Sequence, residues 1–213
     1  MKPVQHNQLD LIIFDLGGVI LNIDYGLTQK AFAALGLADT EQNYSQAAQN
    51  ELFDALETGR IDTATFRDGL RQMMGHSPSD QALDDSWNAL LLDLPLHRLE
   101  FIHRVHERYR TCVLSNTNAI HIAEFERRIE DEIGMQYFRS AFDAVFYSSD
   151  IGQRKPDKEA FQYVLEHFEV EAQKALFIDD SVQHVQAAEA LGLQTIHLRP
   201  GEEIHERAAY LIS

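Results

Sequence analysis

Short apolar runs recur along the chain at lengths typical of strands. They lie at residues 11–14, 111–114, 144–147, 175–178 and 194–198. Most are nearly continuous rather than alternating, a pattern typical of strands that are buried on both faces of a parallel sheet. We therefore predict that these runs form a parallel sheet.

Helical patterns follow several of these runs. Residues 120–133, 157–168 and 182–191 place apolar side chains three and four positions apart. The first and last of these segments begin after the cap residues Asn118 and Ser181 and end at Gly134 and Gly192, as helices commonly do. The alternation predicts an α/β fold with a Rossmann-like, doubly wound parallel sheet.

The segment between the first and second runs is too long for a single crossover. It shows only helical patterns, at residues 27–35, 41–57, 64–74 and 79–92, separated by turn or cap signals. Residues 96–109 then predict a helix that returns to the sheet. We expect an α/β core domain of residues 1–21 and 95–213, with a helical cap domain of residues 22–94 inserted after the first strand.

The composition is that of an ordinary globular protein, with 213 residues of which 45% are hydrophobic and 24% charged. The formal net charge of −16 argues against nucleic-acid binding, which needs clustered Lys and Arg. It leaves room for a small anion at a local positive site. Cys112 is the single cysteine, so an internal disulfide is excluded, and its apolar neighbours predict a buried thiol.

Nothing in the sequence indicates export or a membrane. The first ten residues are largely polar, and no apolar run approaches the roughly 20 residues of a spanning helix. We expect a cytoplasmic protein with no nucleic-acid or membrane partner. The sequence does not define an oligomeric state.

Polar clusters fall where the predicted strands end. They lie at residues 15–19, 115–118, 148–150, 153–156 and 179–181. In open parallel sheets, ligands bind in the crevice beyond the carboxyl ends of the strands. We expect the clusters to meet there, with Asp15 held rigidly on a glycine turn that lets a ligand approach the backbone.

Four motifs in this order resemble those of the haloacid dehalogenase-like hydrolases, and the resemblance covers essentially the whole chain. They are FDLGG at 14–18, LSNTN at 114–118, GQRKP at 152–156 and DD at 179–180. The wording is most similar to a phosphatase subgroup that acts on small phosphorylated metabolites, some of them sugar phosphates. The resemblance therefore implies a phosphoric monoester hydrolase.

The resemblance implies that Asp15 attacks phosphorus and forms an aspartyl-phosphate, which splits one difficult displacement into two steps. It also implies a Mg²⁺ ion, because a carboxylate that attacks a phosphate dianion needs a cation to offset the repulsion. By the same resemblance the metal ligands are the Asp15 carboxylate, the Gly17 carbonyl oxygen and Asp180. Asp179 is expected to orient a metal-bound water or Lys155.

Further residues are implied to hold the phosphoryl group. The Ser115 hydroxyl would donate to a phosphate oxygen, together with the backbone amide of Asn116. Lys155 would neutralise charge that spreads over the phosphoryl oxygens in the transition state. On this interpretation Asp15, Ser115 and Lys155 are the catalytic residues.

Gly17 departs from the family pattern, in which this position usually carries a second aspartate that serves as acid and base. Such help is worth about 10² to 10⁴ in rate. Three explanations stay open: a substrate with a good leaving group, such as an anomeric or acyl phosphate; a proton from Asp24; or a proton from His76 or His121 closing over the site. His184, where many relatives have asparagine, is interpreted as a surface histidine of a helix.

The helical insert would act as a lid that excludes water and contacts the leaving group. Glu57, Gly59, Arg60 and Trp87 lie in segments that resemble the cap of the family. We expect Trp87 in the core of the insert rather than as a platform for a sugar.

Other functions stay open beside the phosphatase. A metal-independent carbon-halogen hydrolase of the same superfamily also lacks the second aspartate, although the pair Asp179 and Asp180 would be costly there without a cation. A binding protein that keeps the fold without turnover is a further alternative. The sequence does not separate a phosphatase from a mutase, nor does it identify the substrate.

Overall fold

The computed structural model describes residues 9–37 and 51–213, and its central feature is a parallel sheet of five strands in the order β3-β2-β1-β4-β5. The predicted strands and the α/β fold class are confirmed, with strand ends shifted by at most one residue. The strands are β1 Leu11–Phe14, β2 Arg110–Ser115, β3 Ala144–Tyr147, β4 Ala175–Asp179 and β5 Gln194–His197.

Helices connect successive strands. Between β1 and β2 lie α1 Tyr25–Ala34, α2 Glu51–Glu57, α3 Thr63–Met74, α4 Asp80–Asn88 and α5 Leu96–His106; β2 is followed by α6 Ala119–Glu132 and α7 Met135–Arg139, β3 by α8 Ser148–Ile151 and α9 Lys158–Phe168, β4 by α10 Val182–Ala190 and β5 by α11 Ile204–Arg207. The 3₁₀ turns are Ala172–Lys174 and Ala209–Ile212. Residues 41–50 of the predicted second insert helix lie outside the described residues. Within the described ranges, none of the helices is both long and apolar enough to cross a bilayer.

The central strand β1 packs against a helical layer on each face of the sheet. Leu11 and Ile13 join a buried cluster with α9 and α10, whereas Ile12 and Phe14 join the cluster that continues into α5, α6 and the insert. Because successive side chains of a strand point to opposite faces, a continuous apolar run satisfies both layers. Cys112 is fully buried in the first cluster, as expected.

The helix α4 is shorter than the sequence predicts. The apolar pattern continues to residue 92, but α4 ends at Asn88. Leu91 instead forms an antiparallel bridge with Ile23, and the Asp24 amide donates to the Leu90 carbonyl at 2.9 Å. The chain segments that enter and leave the insert are therefore hydrogen-bonded to each other, so Leu90 and Leu91 are buried by a strand-like contact rather than by a helix.

An aromatic cluster joins the helices α1 to α4, each of which contributes one ring. Trp87 is fully buried, and its ring centroid lies 5.9 Å from that of Phe32, 5.1 Å from Phe53 and 5.6 Å from Phe66. The expectation that Trp87 belongs to a hydrophobic core is confirmed. An indole enclosed in this way has no free face to serve as a platform for a sugar.

Candidate active site

The carboxyl ends of the central strands meet at one cavity. Asp15 follows β1, Ser115 is the last residue of β2, and Asp179 is the last of β4. Strand register brings these ends together, because Phe14 pairs with Val113 on one side and Ile178 on the other. The predicted site residues that line the cavity are Asp15, Gly17, Ser115, Asn116, Lys155 and Asp180. The cluster at 148–150 does not line it, contrary to expectation; the Ser148 hydroxyl instead accepts from the Thr117 amide and donates to the Thr117 carbonyl.

Lys155 is the electrostatic centre of the site. Its ammonium is fully buried, 2.7 Å from Asp15 Oδ1 and 2.8 Å from Asp179 Oδ2. Burial lowers the pKa of Lys155, but the two carboxylates outweigh burial and raise it above its ordinary value. Burial also raises the pKa of Asp15, and Lys155 opposes that rise. One cation thus faces two anions here.

Asp179 has both carboxylate oxygens engaged by the protein. Oδ2 accepts from Lys155, Oδ1 accepts the Ser181 amide at 2.7 Å, and His184 Nδ1 lies 3.1 Å from each oxygen. Burial raises the pKa of Asp179, but Lys155 and His184 outweigh it and bring the value to about 2. The His184 side chain is only 13% exposed and lines the cavity, so its interpretation as a surface histidine is wrong.

The side chain of Asn116 clamps the backbone of Lys155. Asn116 Oδ1 accepts the Lys155 amide at 2.8 Å, and Asn116 Nδ2 donates to the Lys155 carbonyl at 2.7 Å. This pair of bonds fixes the loop from which the buried ammonium extends. The resemblance implied a role for the Asn116 backbone amide alone, because a side-chain contact across 39 residues leaves no periodic signal.

The glycine turn after β1 is closely packed on both sides. A Cβ at Gly17 would lie 2.9 Å from Ile23 Cδ1. The Ile23 side chain therefore occupies the space next to position 17, where the family usually has its second aspartate. Gly18 has φ +78°, and a Cβ there would lie 2.4 Å from Asp180 Oδ2. Gly18 therefore allows the Asp180 carboxylate to approach the turn that carries Asp15.

These carboxylates fit a hard divalent cation. Ligand oxygens of Asp15, Asp179 and Asp180 lie within 4.8 Å of one another, and carboxylate oxygens are the ligands that Mg²⁺ prefers. Since Lys155, Ser181 and His184 already engage Asp179, the geometry favours Asp15 and Asp180 as the metal-facing pair.

The insert contributes a charged wall to the cavity. Arg154 Nη2 lies 3.1 Å from Glu57 Oε2, and Arg154 Nη1 donates to Asp54 Oδ1 at 2.6 Å. Arg154 and Glu57 both line the cavity; Arg60 also pairs with Asp54, but it does not line the cavity and its side chain is 54% exposed. The resemblance pointed to Glu57, whereas its partner Arg154, 97 positions away, could not be paired with it from the sequence.

The polar side chains of Tyr25 and His121 also line the cavity. Burial raises the pKa of Tyr25 well above 10, and the carboxylates of Asp180 and Asp15 add to the rise, so the phenol stays protonated. His121 Nδ1 lies 2.9 Å from Asn88 Oδ1. Because an amide oxygen only accepts, the ring proton is on Nδ1, and burial lowers the His121 pKa to about 3. His121 therefore has no proton on Nε2 to give.

The other suggested proton donors lie outside the cavity. Asp24 caps α1 by accepting the Gly26 amide at 2.8 Å. His76 Nε2 bonds the Leu35 carbonyl. Neither is among the described residues that line the cavity, so Asp24 is a helix cap and His76 a structural contact of the insert.

The fold and this cavity are those of a hydrolase, and the chain belongs to the haloacid dehalogenase-like hydrolases, whose family model matches residues 9–192. A D-ribitol-5-phosphate phosphatase of Bacteroides thetaiotaomicron is 26% identical over 95% of this chain and 98% of its own. The sesquiterpene phosphatase astK of Aspergillus oryzae is 28% identical over 87% of this chain and 88% of its own. The expectation of an enzyme of the phosphatase kind is confirmed.

Solved structures are similar over nearly the whole chain. A HAD-family enzyme of Bacteroides thetaiotaomicron in complex with magnesium and inorganic phosphate is 30% identical, with a TM-score of 0.81 over 92% of this chain and 96% of its own. A predicted HAD-like hydrolase of Porphyromonas gingivalis is 28% identical, with a TM-score of 0.85 over 96% of this chain and 98% of its own. An L-2-haloacid dehalogenase of Xanthobacter autotrophicus, 16% identical with a TM-score of 0.58 over 96% of this chain and 84% of its own, shares the fold.

Proposed function

We propose that this chain is a Mg²⁺-dependent phosphatase that hydrolyses a small sugar or polyol phosphate through an aspartyl-phosphate on Asp15. The observation that carries the proposal is the buried Lys155 ammonium between Asp15 and Asp179, with Ser115 and Asp180 lining the same cavity. The named substrate of the Bacteroides relative and the magnesium and phosphate complex of the similar structure support it. A cytoplasmic location belongs to the same proposal, since a chain with one cysteine needs no oxidising compartment.

The two carboxylate oxygens of Asp15 have different roles in this reaction. Oδ1 accepts from Lys155, which fixes the carboxylate and leaves Oδ2 to attack phosphorus. The phosphorus–oxygen ester bond breaks as the new bond forms, and the leaving alkoxide takes a proton from water to become the alcohol. Water then attacks the aspartyl-phosphate and releases phosphate and the carboxylate.

The remaining site residues stabilise charge on the transferring group. Ser115, which is 4% exposed at the end of β2, would donate to a phosphoryl oxygen with the Asn116 amide. Asp15, the Gly17 carbonyl and Asp180 would hold Mg²⁺, which when bound offsets the repulsion between carboxylate and phosphate. Asp179 acts through Lys155, whose position it fixes.

Proton delivery to the leaving group is weak in this site. Gly17 has no side chain and so no acidic group. The Tyr25 phenol donates a hydrogen bond more readily than it gives up its proton, because its pKa is raised. Substrates with good leaving groups, such as anomeric phosphates, should therefore react faster than phosphates of primary alcohols. The reverse order would mean that a side chain or water replaces the acid.

A carbon-halogen hydrolase is the alternative that Gly17 favours. Such an enzyme needs no metal ion. Without one, the Asp180 carboxylate beside Asp15 and Asp179 would be a third negative charge, which Lys155 alone does not balance. The two functions therefore differ in their response to a chelator.

Phosphate release and halide release test the proposal. The purified protein is assayed with pentitol phosphates, anomeric sugar phosphates and a 2-chloro acid, each with Mg²⁺ and with a chelator. We expect multiple turnovers of phosphate release with Mg²⁺ and none with the chelator. Halide release that persists in the chelator, or no turnover of any phosphate, would contradict the proposal.

A further inference from the structure

The ring of His121 is held in one orientation beside the cavity. It is 5% exposed and lies in the first turn of α6, which begins after Asn118. One ring face stacks on Trp87, with centroids 4.5 Å apart, and Nδ1 donates to Asn88 of the insert at 2.9 Å. Core and insert together therefore fix the tautomer, with the lone pair on Nε2.

This lone pair has no partner among the residues that the structure describes. Nε2 is buried and makes no hydrogen bond within residues 9–37 and 51–213, although the residue lines the cavity. Burying an acceptor without a partner is unfavourable, and buried polar groups in native proteins are nearly always bonded to protein or water. A group this well oriented and left unbonded is suited to a ligand.

A second residue that lines the same cavity carries an unbonded hydrogen-bond donor. Arg154 uses Nη1 and Nη2 for Asp54 and Glu57, whereas its Nε is buried and makes no bond to any described residue. Two residues that line the cavity therefore carry one unused acceptor and one unused donor, both buried. A hydroxyl group both donates and accepts, so a ligand with several hydroxyls can satisfy both atoms.

We propose that His121 Nε2 and Arg154 Nε form a subsite for the polyhydroxylated part of the substrate, with Nε2 accepting from one substrate hydroxyl and Nε donating to another. This inference rests on the proposed phosphatase function and names the two atoms that would make the enzyme prefer sugar or polyol phosphates to phosphates of hydrocarbon alcohols. A buried polar group left unpaired by the wrong ligand is a strong basis for such discrimination.

The test compares a pentitol phosphate with n-pentyl phosphate, which has the same carbon chain but no other hydroxyl. The readout is the ratio of the two kcat/KM values. His121→Phe keeps an aromatic ring on Trp87 but removes the acceptor, and we expect the ratio to fall about tenfold. His121→Gln restores an acceptor oxygen and should recover part of the ratio, which also covers the case in which the phenylalanine variant folds poorly.

His103→Phe is the matched control. His103 also has a buried, unbonded Nε2 and lies against an aromatic ring, Tyr137 at 4.6 Å, but it does not line the cavity. We expect its ratio to equal that of the wild type. An unchanged ratio in His121→Phe, or an equal loss for both substrates, would overturn the subsite. Failure of the wild-type protein to hydrolyse either phosphate would instead overturn the phosphatase proposal, and the subsite with it.

Discussion

Lys155 Nζ donates a 2.7 Å hydrogen bond to Asp15 Oδ1 from a position with no exposed surface. The bond joins the loop before α9 to the end of β1, across 140 positions of sequence. It orients the proposed nucleophile and supplies the positive charge that a buried carboxylate pair requires.

Lys155→Met removes that charge and leaves Asp15 and Asp179 buried without it. We expect the rate of phosphate release to fall about 10² to 10³-fold. The free energy of unfolding in chelator should fall by about 3 to 5 kcal/mol, because removing one partner of a buried ion pair leaves the other charge uncompensated. Urea denaturation and initial rates measure the two effects.

Lys158→Met is the control for this loss. Lys158 lies three positions further on and its side chain is 64% exposed, so its removal should change stability by no more than about 0.5 kcal/mol. Equal effects of the two substitutions would mean that the buried ammonium has no special role.

Gly18→Ala tests the approach of Asp180 to the nucleophile turn. An alanine Cβ would lie 2.4 Å from Asp180 Oδ2, so the carboxylate must move. We expect the Mg²⁺ concentration for half-maximal activity to rise at least about tenfold, from the loss of about 1.4 kcal/mol of binding. Gly75→Ala is the control, because Gly75 has a similar φ of +70° and no atom lies within 4 Å of an added Cβ. It should lose about 1 kcal/mol of stability with no change in the Mg²⁺ requirement.

Arg154→Met tests the contact between insert and core. Its loss leaves Glu57 and Asp54 without their shared cation on the cavity wall, and we expect kcat/KM to fall about tenfold. Arg60→Met removes the other partner of Asp54 but not a cavity residue. If kcat/KM fell by the same factor in Arg60→Met, the loss would come from the weakened pairing of Asp54 and not from the change in the cavity wall.

His121 makes the stability of the fold depend on pH. Its pKa is about 3 in the folded protein against 6.5 ordinarily, so the unfolded chain binds the proton first as the pH falls. Stability from this group is complete above pH 6.5 and decreases below it. Between pH 7.5 and pH 5 the wild type should lose about 2 kcal/mol more than His121→Phe. Parallel urea titrations of the two proteins check this difference, and identical losses would show that His121 protonates in the folded state.

The sheet could be predicted because the burial of its strands is visible in the sequence as continuous apolar runs. A strand such as Leu11–Phe14, covered on both faces, must be apolar throughout, and the helix N-cap at Asn118 is a local signal. The end of α4 was mispredicted because Leu90 and Leu91 are as apolar as helix positions, yet they are buried by contacts with the segment that enters the insert. Local pattern does not distinguish these two ways of burying leucine.

The candidate site could be predicted where strand ends set positions and where a motif resembles that of the family, as at Lys155. Asp15, Ser115 and Asp180 follow from the parallel sheet. The ion pair of Arg154 with Glu57 and the bond of His121 to Asn88 depend on how the insert packs against the core. The sequence separations of these pairs carry no periodic signal, so the two contacts emerge only from the structure.

The most direct test of the aspartyl-phosphate is the mass of the intact protein quenched in acid during turnover with Mg²⁺. The wild type should carry one phosphoryl group on Asp15, while Asp15→Asn carries none and releases no phosphate. Asp10 directly precedes β1, the strand that Asp15 follows, and its side chain is 48% exposed, so Asp10→Asn should behave as the wild type. Phosphate release by Asp15→Asn at the wild-type rate would contradict the account.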